Sequence, residues 1–195
     1  MKFLKNKIVA TVIAVVVVIS AGLISAKTGL DRAIRDVEML YYDGVEAEAG
    51  GYLRPSIDSQ MRVKYNAVNS ILGILSGYEE LASVTEDLED ARDYVYGNFN
   101  NYDDYTIDSM GWANQELETV LTRLRLEMAR VDFTEREQEM LSQCLSDLEG
   151  AQSMIDQSGY NEAVRTFNST KMKRFPASVL LELFGNYQGG AAYFD

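Results

Sequence analysis

Nothing limits the fold of this chain more than its first twenty-seven residues. Lys2, Lys5 and Lys7 precede a run from Ile8 to Ala26 that carries no charge and only Thr11, Ser20 and Ser25 as hydroxyl residues. As a helix rising about 1.5 Å per residue, those nineteen residues reach roughly 28 Å, close to the ~30 Å of bilayer hydrocarbon. Lipid offers no partner to backbone amides, so a segment of this kind is helical or it does not cross. Residues 1–27 are therefore expected to form a membrane anchor. A cleaved signal peptide has the same basic start, with Ser20 and Gly22 as the small residues a peptidase wants. No cysteine stands at the end of the run to carry a lipid, which excludes a lipoprotein anchor. Lys2, Lys5 and Lys7 on one side balance Lys27, Arg32 and Arg35 on the other, so basic charge alone does not orient the segment. The shortness of the N-terminal tail favours a single-pass protein of the cell membrane, N-terminus cytoplasmic and remainder outside.

The remaining length suits one ordinary domain. Pro55 and Pro176 are the only prolines, good helix formers fill the stretch between them, and no run alternates long enough for a sheet. The expected fold class is all-α: an N-terminal single-pass transmembrane helix followed by an antiparallel bundle of about four helices over 28–176, then a tail over 177–195. The first helix spans Thr28 to Glu48, with Leu30, Ala33, Ile34, Val37, Leu40 and Tyr41 on one face, and continues the membrane helix. Gly50, Gly51 and Pro55 mark a turn or kink. A second helix, with Ile57, Met61, Val68, Ile71, Leu72 and Leu75 in its stripe, extends from Ser56 to Tyr96. Gly97 to Asp108 reads as a loop and Ser109 to Val131 as a third helix. Thr134 and Glu137 form a capping box opening a fourth helix, which runs past Tyr160 to Lys171, Lys173 and Arg174 before Pro176. In the tail, Val179, Leu180, Leu181, Leu183 and Phe184, with Tyr193 and Phe194, form an apolar and aromatic cluster that seeks cover.

Charge and residue types remove most chemistries. Eighteen basic against thirty acidic residues, a net −12, repel a phosphate backbone, so nucleic acid is not an expected partner. The absence of histidine removes the catalytic triad, the zinc helix and the Glu-x-x-His pairs of di-iron bundles. No phosphate-cradling glycine motif occurs, and no cofactor is expected. The lone Cys144 falls at helical spacing and reads as a small core residue. Between Glu79 and Glu118 twelve acids face only Arg92. In that stretch Asp103, Asp104 and Asp108 are the weak candidates for holding a hard cation, although the spacing is not that of an EF-hand and a solvated acidic tip explains it better. Lys171, Lys173 and Arg174 are candidates for contact with anionic headgroups.

Two segments resemble a known family. Ile57 to Glu80, reading IDSQMRVKYNAVNSILGILSGYEE, is similar to the first block of the LemA family. The order Leu148-Glu149, Tyr160-Asn161-Glu162-Ala163-Val164, Phe167-Asn168, Phe175-Pro176, Leu183-Phe184-Gly185 and Tyr193-Phe194 resembles that family's C-terminal half. Asp156, Gln157 and Ser158 stand where the family has arginines, and Asn69 where it has a proline. The resemblance implies a helical bundle on one membrane helix, with no enzymatic activity, acting as an envelope scaffold or interaction module. A cation-binding or cation-sensing module using residues 98–108 is the alternative. Expected partners are the lipid bilayer, other envelope proteins and a second copy of the chain.

Overall fold

The structure, a computed structural model, describes residues 7–46, 53–100, 106–174, 177–178 and 190–194, and these are helical apart from turns and one isolated antiparallel bridge, Glu46 with Leu53. The chain forms two compact units. One comprises Met1–Val37 with Arg165–Ala191, the other Glu38–Val164 with Ala192–Asp195.

Helix α1, Lys7–Asp43, is continuous from the apolar run into the charged segment, as the sequence led us to expect, and is long and apolar enough to cross a membrane. Val12, Ile13, Val15, Val16, Val17, Val18, Ile19 and Ile24 are all exposed along it. It stops five residues short of Glu48. Gly44 takes a φ of +85°, donates its N–H to the Leu40 carbonyl at 2.9 Å and passes so close to the Arg54 carbonyl that a Cβ would collide with it. The expected break at Gly50 and Gly51 lies outside the described residues.

The second unit holds the antiparallel four-helix bundle, built from α2 (Ile57–Leu75), α3 (Ala82–Asn100), α4 (Ile107–Met128) and α5 (Glu135–Asp156). Helix α2 packs against α5 and α3, and α3 against α4. Two expected helices are corrected here. The single helix from Ser56 to Tyr96 is a hairpin of α2 and α3: Ser76 and Gly77 end α2, and a 3₁₀ turn, Glu79–Leu81, leads into α3. The expected fourth helix breaks at Gly159, whose φ of +78° an L side chain rarely adopts, and resumes as α6, Tyr160–Thr170. Arg54 Nη1 donates to the Gln157 carbonyl at 2.7 Å and so satisfies the end of α5.

Caps fix the other helix starts. Ser56 Oγ accepts from the Ser59 N–H at 3.2 Å to open α2, and reciprocal boxes join Thr106 to Ser109 and Thr134 to Glu137 ahead of α4 and α5. Inside, Met61, Val68, Ile71 and Leu75 of α2 share the core with Val84, Leu88 and Val95 of α3, Leu117, Leu121 and Leu124 of α4, and Leu141 and Leu148 of α5. Cys144 is half-buried, and burial and Asp147 both push its thiol pKa up, so it is not a poised thiolate.

Candidate functional site

The core stripe of α2 steps from Met61 to Val68, and at the position between them stands Lys64. Its side chain is 0 % exposed. Nζ donates to Asn114 Oδ1 at 2.5 Å, Glu118 Oε1 at 2.5 Å and Gln152 Oε1 at 2.7 Å. An ammonium has three N–H groups, and these three acceptors, two from α4 and one from α5, take them all. The Gln152 amide is turned for the task because its Nε2 donates to Asp156 Oδ1 at 2.8 Å. Burial lowers the Lys64 pKa below the usual lysine range, while the hydrogen bond and charge of Glu118, and then the charge of Asp156, pull it back up. The arrangement ties α2, α4 and α5 together and commits each N–H, leaving no free lone pair for nucleophilic or base chemistry.

Sequence reasoning missed this cluster. The signal was helical spacing, since position 64 lies three residues after Met61 and four before Val68 on the same stripe, and Asn114 sits likewise in the stripe of Met110, Leu117 and Leu121.

Of the three cation candidates only Asp108 lies among the described residues. Asp108 is exposed in the first turn of α4, where a carboxylate suits the helix dipole. Asp103 and Asp104 lie outside the described residues. The expected loop is shorter than read, because Gly97 to Asn100 belong to α3 and Ile107 and Asp108 to α4. Asn98 is buried, donating to the Tyr94 carbonyl at 2.9 Å and accepting from Ser109 Oγ at 2.6 Å, which makes it a helix-pairing residue. No group of three His, Cys, Asp or Glu side chains able to hold a metal occurs among the described residues.

Lys171, Lys173 and Arg174 stand exposed in a turn beyond α6, on either side of the buried Met172. They belong to the same compact unit as α1 up to Val37. In that unit Asn168 clamps the tail, its Nδ2 donating to the Ala191 carbonyl and its Oδ1 accepting from the Ala191 N–H, both at 3.0 Å.

A second clamp of the same form lies in the bundle unit. Asn161 Nδ2 donates to the Phe194 carbonyl at 2.7 Å and Oδ1 accepts from its N–H at 2.9 Å. Tyr160 Oη donates to the Ala192 carbonyl at 2.7 Å, and Glu38 Oε1 accepts from the Ala192 N–H at 3.1 Å. Phe194 is buried beside Tyr41, with ring centroids 5.8 Å apart. Burial pushes the Tyr160 hydroxyl well above its ordinary pKa, so it stays a donor. The described part of the tail is thus held by main-chain recognition, while residues 179–189 lie outside the described residues.

Comparison of the chain with family models, with curated proteins and with solved structures returns no match.

Proposed function

We propose that this chain is a membrane-anchored, non-enzymatic helical bundle of the cell envelope that acts as a scaffold or interaction module, and that it is a divergent member of the LemA family. The observation that carries the reading is α1. Eight large aliphatic side chains of one uninterrupted helix lie exposed between Val12 and Ile24, an arrangement water penalises at about 25 cal/mol per Å² and a bilayer does not.

Two further observations support it. The buried cation Lys64 is saturated by three acceptors and serves packing. Lys171, Lys173 and Arg174 share a compact unit with the anchor, as side chains meeting anionic headgroups would, each contributing about 1 kcal/mol. The N-terminus is cytoplasmic in this reading and the bundle lies outside.

Protease added to intact spheroplasts tests it. Digestion of the bundle with an N-terminal fragment left in the membrane is expected. A bundle protected until the membrane is permeabilised would reverse the orientation, and a protein that begins near Leu23 or Lys27 and washes free would remove the anchor.

A further inference from the structure

The outer faces of α3 and α4 frame a groove of about 700 Å³. Asp87, Asp90 and Tyr94 come from α3, and Trp112, Glu116 and Arg123 from α4. Trp112 is the only tryptophan of the chain, and it is 60 % exposed, with Tyr94 47 % exposed along the same groove. A half-open cleft with an indole and a phenol on its wall is the composition of a binding hot spot, since these rings bring large area at little cost in side-chain entropy.

Charge decides what the groove takes. Arg123 is the only base on its wall, and its guanidinium is already occupied by Asp87, by Glu127 Oε1 at 2.6 Å and by Ser83 Oγ at 3.1 Å. Asp90 and Glu116 enter no ion pair among the described residues. The groove therefore offers two unneutralised carboxylates beside two ring faces. Rings attract cations through their quadrupole, and carboxylates through charge.

We infer that this groove docks a lysine- or arginine-bearing segment of another protein, with a basic side chain set over Trp112 or Tyr94 and its charge answered by Asp90 and Glu116. The inference rests on the reading of the chain as an interaction module and names the chemistry of its partner.

Trp112 reports on the site directly. Full-length protein in detergent micelles is titrated with octalysine while tryptophan emission is followed, and binding is repeated with a labelled peptide by anisotropy. Saturable binding that alters Trp112 emission is expected at low salt, weakening as salt screens it. The double variant Asp90→Asn, Glu116→Gln and, separately, Trp112→Ala should each weaken binding by about tenfold. The control Glu135→Gln, Glu139→Gln removes the same charge from exposed positions on α5 and should leave affinity within about twofold. Equal loss in control and groove variants means unspecific attraction and overturns the inference, as does absence of saturable binding. Saturation by Ca²⁺ alone with the same emission change overturns it in favour of a cation site. Because binding is read in detergent, its failure leaves the membrane reading standing, and failure of the anchor leaves the groove result interpretable.

Discussion

Helix α4 shows its two faces in opposite states. Inward, Asn114, Leu117, Leu121 and Leu124 are buried, and the Lys64 ammonium that Asn114 meets is answered on every N–H. Outward, Trp112 and Glu116 are exposed. The difference teaches where charge must be matched and where it can stand in solvent: a buried ion unanswered costs several kcal/mol, whereas an exposed carboxylate costs almost nothing.

The comparison breaks most violently if charge is forced inward. Leu121→Asp, or Leu148→Asp across the core, should destabilise the bundle by about 4 kcal/mol, read as a fall in the denaturant midpoint. An unchanged midpoint would mean that these stripes are not buried. Removing an answer is the next largest effect. Glu118→Ala leaves the ammonium with two neutral carbonyls and should cost about 3 kcal/mol. Lys64→Met removes the ion itself and strands the Asn114 and Gln152 oxygens, at about 1–2 kcal/mol. The order of these two losses sharpens the account, because a larger loss for Lys64→Met would make packing, and not charge, the main contribution of that side chain.

A smaller effect sits at the start of α5. Hydrogen bonds from the Thr134 hydroxyl, the Tyr78 hydroxyl and the Thr134 backbone hold the Glu137 carboxyl below its usual range. A folded pKa below the unfolded one stabilises above the unfolded glutamate value of about 4.3, and that stability is lost as pH falls through the folded value. Melting temperature against pH should show this acid step, reduced in Glu137→Gln. On the outward face of α4, Glu116→Gln should shift stability by no more than about 0.5 kcal/mol, as exposed substitutions do. A larger loss would place that carboxylate in the structure and not at a surface.

The sequence exposed some of this and hid the rest for physical reasons. The membrane-length run, the amphipathic stripes of Met61, Ile71 and Leu75 or of Leu117, Leu121 and Leu124, and the Thr134 to Glu137 box are local patterns, so they were legible. The breaks at Gly77 and Gly159 were not, because the apolar period runs on through both: Tyr78 and Leu81 continue the stripe of α2, and Tyr160 and Val164 that of α5. Each break contains a serine-glycine pair, Ser76-Gly77 and Ser158-Gly159, which is the turn signal that outranks periodicity. Gly44 escaped notice beside the louder Gly50, Gly51 and Pro55. The Lys64 cluster draws on residues from positions 64, 114, 118 and 152, and only the fold reveals that they meet. The α3–α4 groove escaped in the same way. Its acids were visible as composition, but their place beside Trp112 depends on how two helices pack.

The anchored state of the chain is tested most directly by washing membranes at alkaline carbonate pH and weighing the retained protein by intact-mass spectrometry. The account predicts that the chain stays in the pellet at a mass that includes Lys2 to Ala26. Release into the supernatant, or a retained mass that begins near Leu23 or Lys27, would contradict it.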